Sequence, residues 1–285
     1  MSEAPLFISP HINRLIDLAL DEDQVGFDVT SQIFFSGKTS SAYLIAKEPM
    51  VVAGLQMVAA VFARVDSSIL WSPLVEDGQA INKGDLLGRL SGPTVGLLGG
   101  ERTALNFLQR MCGIAGKTHS LVQALNNPKI RLADTRKTLP GYRELDKYAV
   151  RCGGGYNHRL SLAGGVMLKD NHIAAADGSI EEAVKKVREQ APHTLRVEVE
   201  VTTLDQAREA ATVGAEIIML DNMNAEQMRE AIAVIREIAP KTCIEASGNV
   251  TLERLPELGK LDLDVISVGG ITHTIAAADI SMRFD

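Results

Sequence analysis

The chain has 285 residues, a length that predicts one large domain or, as we expect, two unequal ones. Its formal net charge of −7 argues against a nucleic-acid-binding protein, because affinity for the phosphate backbone needs a broad surplus of Lys and Arg. Hydrophobic residues make up 46% and charged residues 23%, which is the balance of a globular protein and excludes a disordered chain.

The cysteines and the N-terminus bear on the cellular compartment. Cys112, Cys152 and Cys243 lie far apart without a CxxC pair, which predicts structural thiols in a reducing compartment and neither a disulfide framework nor a zinc site. The first residues, MSEAPLFISPH, lack the basic and apolar regions of a signal peptide, and no run reaches the length of a membrane span. We therefore expect a cytoplasmic protein.

The N-terminal part of the chain predicts an α+β domain. Residues 11–23 have the pattern of a helix and residues 42–54 are strand-like. In residues 71–92, glycine and aspartate separate alternating segments, as in an antiparallel sheet. Residues 96–125 predict a long helical connector, because apolar residues recur at helical spacing. We place the domain boundary within this connector, near residue 112.

Residues from 130 onward predict repeated β-α units. Short apolar runs alternate with amphipathic helical stretches, which is typical of a parallel sheet or barrel and of the α/β class. The predicted strands are residues 130–135, 165–169, 195–201, 216–221, 243–247 and 264–270. The predicted helices among them are residues 143–152, 180–190, 204–214, 225–239 and 252–259.

Each predicted strand ends in polar or glycine residues. In β/α barrels the active site is assembled from these strand ends and the loops that follow them, whereas one such end alone would equally fit a solvated loop. The residues concerned are Asp134, Thr135, Arg136, Lys137, Lys169, Asp170, Glu200, Asp221, Asn222, Ser247, Gly248, Gly269 and Gly270. Because they follow strands in order, we expect them to share one site.

The segment from residue 134 to residue 169 is rich in cations. It contains Arg136, Lys137, His158, Arg159 and Lys169. A basic surface patch would explain them, but the residues between them are Gly-rich and apolar, which favours a pocket. Arg binds carboxylate or phosphate bidentately and Lys acts as a compact charge, so the mixture suits a small, multiply anionic ligand. No GxGxxG or Walker A motif is present in the sequence, which disfavours dinucleotide and triphosphate folds.

Acidic and glycine residues of the later strands complete the candidate site. Glu198 and Glu200 share one face of their strand, and Glu200 with Asp221 could hold Mg²⁺ or sugar hydroxyls. An ion pair of Glu200 with Lys169 is the alternative. Backbone N–H groups around the final glycines suit a phosphate, and Ser247, Gly248 and Asn249 could supply further donors. His158 and His273 are candidates by position alone, since no histidine has metal-ligand spacing.

Ordered motifs along essentially the whole chain resemble those of quinolinate phosphoribosyltransferases. They are ERTALNFLQR, DTRKTLPG, GGGYNHR, KDNHI, VEVEV, IMLDN, ASGNV and ISVGG. The resemblance implies a type II phosphoribosyltransferase fold, with an N-terminal α/β sandwich over residues 1–112 and an incomplete α/β barrel over residues 113–273. It also implies that residues 274–285 return to the first domain.

The resemblance also implies a role for each matched residue. It assigns Arg136, His158, Arg159 and Lys169 to a pyridine dicarboxylate, with Lys137 near both substrates and Thr135 in the same loop. It assigns Arg102 to this pocket from a neighbouring subunit, which implies a homodimer or an assembly of dimers. Glu200 and Asp221 match residues at the ribose and Mg²⁺ of phosphoribosyl pyrophosphate, and Ser247, Gly248, Gly269 and His273 match its phosphate site. The residues expected to be catalytic are Lys137, Glu200 and Asp221.

The implied reaction transfers phosphoribosyl from phosphoribosyl pyrophosphate to quinolinate, with decarboxylation, in the de novo synthesis of NAD. Two alternatives stay open. One is a Schiff-base aldolase on a β/α barrel with Lys137 or Lys169 as the nucleophile, which borohydride trapping would detect. The other is a catalytically silent sensor that binds quinolinate and releases no CO₂.

Overall fold

The structure is a computed structural model that describes residues 5–285. The helices are α1 (Pro10–Glu22), α2 (Val29–Phe35), α3 (Leu55–Val65), α4 (Thr94–Leu125), α5 (Arg143–Cys152), α6 (Asp170–Ala174), α7 (Ile180–Gln190), α8 (Leu204–Thr212), α9 (Ala225–Ile238), α10 (Leu255–Leu258) and α11 (Gly270–His273). The strands are β1 (Thr39–Ala46), β2 (Met50–Val51), β3 (Leu70–Pro73), β4 (Ala80–Ile81), β5 (Leu86–Pro93), β6 (Arg131–Ala133), β7 (Val166–Leu168), β8 (Val197–Val201), β9 (Ile217–Asp221), β10 (Cys243–Ser247), β11 (Val265–Ser267) and β12 (Ile280–Phe284).

The chain forms two compact units and passes between them more than once. The first unit comprises the residues up to His119 together with Thr138–Gly154 and Gly270–Asp285. The second comprises Ser120–Lys137 and Gly155–Gly269. Helix α4 is continuous through residue 112 and through the boundary at residue 119. None of the helices in the described part of the chain is long and apolar enough to cross a membrane.

The first unit contains an antiparallel sheet in the order β12-β1-β5-β3. Strand β12, near the C-terminus, pairs with β1, and β3 pairs with β5 as the Gly and Asp punctuation predicts. Helix α1 begins after Ser9, whose side chain accepts the N–H of Ile12, and it buries Ile12 and Ile16. An ion pair between Arg110 of α4 and the fully buried Asp146 of α5, at 2.8 Å, lies within this unit.

Helices α2 and α3 are absent from the elements predicted above. Alanines separate the buried residues of helix α3 and Arg64 is its one charged residue, so its sequence lacks the charged face that usually marks a surface helix. Its N-terminus is capped by a residue distant in sequence, because the Asp77 carboxylate accepts the N–H groups of Gly54 and Leu55. The hydroxyl of Tyr148 donates to the same carboxylate. Long-range capping of this kind leaves no local signal.

The second unit is built on a parallel sheet in the order β6-β11-β10-β9-β8-β7. Every predicted strand from residue 130 onward is present, at most shortened at its ends. Residues from all six strands or the positions just after them surround one cavity, so the sheet curves round it, while β6 and β7 remain its two unjoined edges. Val197, Val199 and Val201 are buried on the other face of β8.

Candidate active site

A cavity of about 630 Å³ lies at the carboxyl ends of the parallel strands, within the second unit. Its size suits a small-molecule substrate. It brings together most of the residues predicted from strand ends and cationic motifs. These are Thr135, Arg136, Lys137, His158, Arg159, Lys169, Glu200, Asp221, Asn222, Ser247, Gly248 and Asn249. Met167, Met219 and Ser267 complete the lining and were missed, although each lies in a predicted strand and alternation along that strand would have indicated Met219 from Asp221.

The other predicted site residues lie elsewhere in the described chain. Gly269 follows β11 in the second unit, and the cavity lining includes Ser267 of that strand instead. Arg102 lies on α4 and His273 at the end of α11, and both belong to the first unit and are exposed. The Nδ1 atom of His273 is 2.7 Å from the hydroxyl of Thr274.

The buried Asp134 places the segment that carries His158 and Arg159. Its carboxylate accepts the backbone N–H of His158 at 2.9 Å and the side-chain amide of Asn157 at 2.7 Å. The N–H of Tyr156 also donates to the Leu132 carbonyl oxygen at 2.8 Å. The segment therefore runs beside β6, with a parallel bridge between Ala133 and Tyr156.

The cations of the cavity are held in different ways. Arg159 donates to the Gly165 carbonyl oxygen at 3.0 Å, and burial, followed by the charge of Arg136, lowers its pKa. The backbone N–H of Lys137 donates to the Thr135 hydroxyl at 3.0 Å, which turns the chain directly after β6. An anion bound beside Arg159 and Arg136 would compensate the positive charge that disfavours the charged form of Arg159.

His158 lies beneath this basic region. Its Nε2 atom is 3.5 Å from a carboxylate oxygen of Glu198 and 3.5 Å from one of Glu245. Burial lowers the pKa of His158, whereas hydrogen bonds to the two glutamates and their charges raise it. Burial also raises the pKa of Glu198.

The acidic side of the cavity is formed by Glu200 and Asp221. Lys169 donates to the Glu200 carboxylate at 2.5 Å, so the ion pair considered above is present. Burial, followed by the negative charge of Glu200, raises the pKa of Asp221. The carboxylates of Glu200 and Asp221 line the cavity together with the amide of Asn222 and the hydroxyl of Ser247. These groups offer hard oxygen donors, which fit Mg²⁺.

A tight turn after β10 closes the cavity beside Asp221. Gly248 and Asn249 both have left-handed backbone angles, with φ values of 86° and 50°. The Asn249 amide donates to the side-chain oxygen of Asn222 at 3.1 Å. A Cβ atom on Gly248 would lie 2.3 Å from that same oxygen, so only glycine fits here.

We expect Gly248→Ala to destabilise the second unit. Gly178 is a matched control, because its φ is 81° and a Cβ there would meet nothing within 4 Å. Gly178→Ala should lower the free energy of unfolding by about 1 kcal/mol, from backbone strain alone. Gly248→Ala should lower it by about 1 kcal/mol or more beyond that amount, because of the added clash. Chemical denaturation of both variants measures the difference. Equal free energies of unfolding would contradict the predicted clash with Asn222.

Comparison with known proteins agrees with this architecture and this cavity. The family model described as quinolinate phosphoribosyl transferase, N-terminal domain, matches residues 28–112. The model described as quinolinate phosphoribosyl transferase, C-terminal domain, matches residues 114–283. The chain belongs to the quinolinate phosphoribosyltransferase family. This membership confirms the resemblance noted in the sequence.

Relatives in the quinolinate phosphoribosyltransferase family match over nearly their whole length. A probable nicotinate-nucleotide pyrophosphorylase (carboxylating) of Bacillus subtilis is 42% identical over 271 residues, which are 95% of this chain and 92% of the relative. The human nicotinate-nucleotide pyrophosphorylase (carboxylating) is 37% identical, over 94% of this chain and 90% of its own. The crystal structure of NadC from Streptococcus pyogenes superposes with a TM-score of 0.93 at 41% identity, covering 99% of this chain and 98% of that one.

These likenesses confirm the predicted α/β fold, an N-terminal α/β domain followed by an incomplete barrel. They also decide between two of the functions that the sequence left open. The family consists of phosphoribosyl transferases by its name, so the interpretation as a Schiff-base aldolase with Lys137 or Lys169 as nucleophile was wrong.

Proposed function

We propose that the protein transfers the phosphoribosyl group of phosphoribosyl pyrophosphate to quinolinate and releases pyrophosphate, CO₂ and nicotinate mononucleotide, a reaction of NAD biosynthesis. The observation that supports it most is the composition of the carboxyl-end cavity. Arg136 and Arg159 offer two guanidinium groups for the two carboxylates of quinolinate, whereas Glu200, Asp221 and the Gly248 turn suit a ribose and its phosphates.

The first step joins the two substrates. The ring nitrogen of quinolinate uses its lone pair to form a bond to the anomeric carbon, while the bond from that carbon to pyrophosphate breaks. The positive charge that develops on the sugar lies beside Glu200 and Asp221, and the negative charge of the leaving group is met by Lys137. Since no proton must move in this step, the enzyme acts by holding the reactants in line and by fixed charges.

Decarboxylation follows on the bound product. Once the ring nitrogen carries the ribosyl group it is cationic, so the electron pair left by departing CO₂ is stabilised on the adjacent ring carbon, which then takes a proton from solvent. The arginines also provide selectivity. A pyridine with one carboxylate would leave a half-buried cation without its anion, a cost of roughly 1–3 kcal/mol.

Glu200 and Asp221 would hold the Mg²⁺ that accompanies phosphoribosyl pyrophosphate. When bound, the ion neutralises charge on the pyrophosphate and makes it a better leaving group. Nζ of Lys169 lies 2.5 Å from a carboxylate oxygen of Glu200. It would move toward a substrate carboxylate as the ion binds. The raised pKa of Asp221 favours this exchange, because a cation relieves the repulsion from Glu200.

We further propose that the protein works as a homodimer or an assembly of dimers. Arg102 is an exposed arginine on α4, in the motif ERTALN, and it would enter the dicarboxylate pocket of a second subunit. A homodimer with two-fold symmetry gives each subunit the same exchange of residues. Gly269 and His273 would complete the phosphate site of phosphoribosyl pyrophosphate.

The experiment that tests the function measures both products. The purified protein is incubated with quinolinate carrying ¹⁴C in the 2-carboxyl group, phosphoribosyl pyrophosphate and Mg²⁺. We expect equimolar release of ¹⁴CO₂ and pyrophosphate, with no pyrophosphate when nicotinate replaces quinolinate. Binding of quinolinate in calorimetry with no product of either kind would contradict the proposal and favour the silent sensor.

A further inference from the structure

Two buried glutamates meet the imidazole of His158 from different strands. Glu198 lies on β8 and Glu245 on β10, and their side chains are 5% and 3% exposed. Oε2 of Glu198 and Oε1 of Glu245 each lie 3.5 Å from Nε2 of His158. Oε1 of Glu198 and Oε1 of Glu245 are buried and have no closer hydrogen-bond partner in the structure. Burying two carboxylates in this way is costly unless they serve a common partner.

The two glutamates do not face the carboxyl-end cavity. They line a second cavity of about 530 Å³ at the amino ends of the same strands, with Ile217, Cys243 and Val265. Only His158 and Arg159 line both cavities. These two residues therefore give the glutamates a direct structural connection to a ligand at the carboxyl ends.

The position of the ring proton on His158 distinguishes a hydrogen-bonded cluster from a metal site. Nδ1 of His158 accepts the backbone N–H of Arg159 at 2.7 Å, so this nitrogen carries no proton and the ring proton lies on Nε2. Nε2–H then faces both carboxylates, with one oxygen of each at 3.5 Å. Although the three ligand atoms lie within 4.8 Å of one another, as a metal site requires, a metal would need the lone pair of Nε2.

The ring of His158 is thus fixed at both nitrogens, and its second contact is the backbone of Arg159. We propose that Glu198 and Glu245 are positioning residues that clamp the His158 ring and, through its bond to the Arg159 N–H, hold Arg159 in place for a substrate carboxylate. The inference rests on the proposed function for the identity of that substrate. The clamp itself is a property of the folded chain.

The kinetic test compares alanine with glutamine at each glutamate. Glu198→Ala and Glu245→Ala remove the acceptor of Nε2–H and should raise KM for quinolinate about tenfold or more, with KM for phosphoribosyl pyrophosphate unchanged. Glu198→Gln and Glu245→Gln keep a carbonyl oxygen for Nε2–H and should remain within about threefold of the wild type. The exposed Glu230→Gln is the matched control. Unchanged KM in the alanine variants, or glutamine variants as impaired as alanine, would overturn the proposal.

A second measurement does not depend on turnover. Nitrogen NMR of protein labelled in histidine, with the His158 signals assigned by their loss in His158→Asn, should show Nδ1 unprotonated and Nε2 protonated at pH 7. A protonated Nδ1 overturns the clamp. The clamp is also overturned if one equivalent of Zn²⁺ removes the His158 signal in the wild type and not in Glu245→Gln. The cluster would then be a metal site.

These two measurements separate the clamp from the proposed function. If the wild type neither binds quinolinate nor turns it over, the proposed function fails, while the tautomer of His158 still tests the clamp. If the wild type is active and the tautomer is as expected, the quinolinate KM of the alanine variants decides whether the clamp acts on Arg159. Circular dichroism confirms that each variant is folded before it is assayed.

Discussion

Replacing Arg102 by alanine should reduce turnover severely while the chain still folds. Arg102 is exposed on α4, so its loss removes no packing within its own unit. In the proposed dimer it would enter the partner's pocket, where its absence leaves a substrate carboxylate unpaired and should lower kcat/KM about 10²–10³-fold. Steady-state kinetics measures this, and thermal unfolding should show a near-wild-type transition.

Mixing this variant with Arg136→Ala tests whether the site is shared. Arg136 lines the cavity of its own chain, so a hybrid dimer contains one site with both defects and one with neither. Random exchange of subunits should restore about a quarter of wild-type activity. The matched control mixes Arg136→Ala with Arg159→Ala, which lie in the same pocket and should not complement. Absence of recovery in the first mixture, with exchange verified, would contradict a shared site.

Asp221→Asn is the second substitution for which we expect a large effect. It should lower catalytic activity and increase the stability of the folded chain. The substitution keeps the shape of the side chain and removes one of the two charges proposed to hold Mg²⁺. We expect kcat to fall about 10²–10³-fold and the Mg²⁺ concentration for half-maximal rate to rise. The exposed Asp205→Asn on α8 serves as the control. Unaltered Mg²⁺ dependence would remove Asp221 from the proposed metal site.

The stability of the Asp221→Asn variant should depend on pH in a defined sense. Because burial and Glu200 raise the pKa of Asp221, the folded chain binds its proton more tightly than the unfolded chain. The free energy of unfolding of the wild type therefore falls as pH rises from the ordinary carboxyl pKa through the raised one. Because Asn does not titrate, the free energy of unfolding of the variant does not fall in this way. The variant should therefore become more stable than the wild type as pH rises over that range. Denaturation at pH 3, 5 and 7 without Mg²⁺ measures it.

Much of the second unit could be predicted because its signals are local. Five-residue strands such as Val197–Val201 and Cys243–Ser247 are long enough for their residue pattern to mark them in the sequence, and parallel strands bring their carboxyl ends to one edge. For the same reason the sequence predicts that Glu200, Asp221 and Ser247 share a site. Helix α3 is less evident in the sequence, because alanines separate its buried residues and Arg64 is its one charged residue.

The sequence by itself determined which charged and polar residues stand at the ends and on the faces of the strands, and only the tertiary structure decided which of them meet. Alternation along β8 places Glu198 and Glu200 on one face, but the sheet assigns Glu200 to the carboxyl-end cavity and Glu198 to the amino-end cavity. The pairing of β8, β9 and β10 puts Glu200 and Glu245 opposite the same residue, Met219, yet it is Glu198 that meets Glu245 at His158. Periodicity within a strand specifies a face, whereas strand order and register, set by packing of the whole sheet, specify the neighbours.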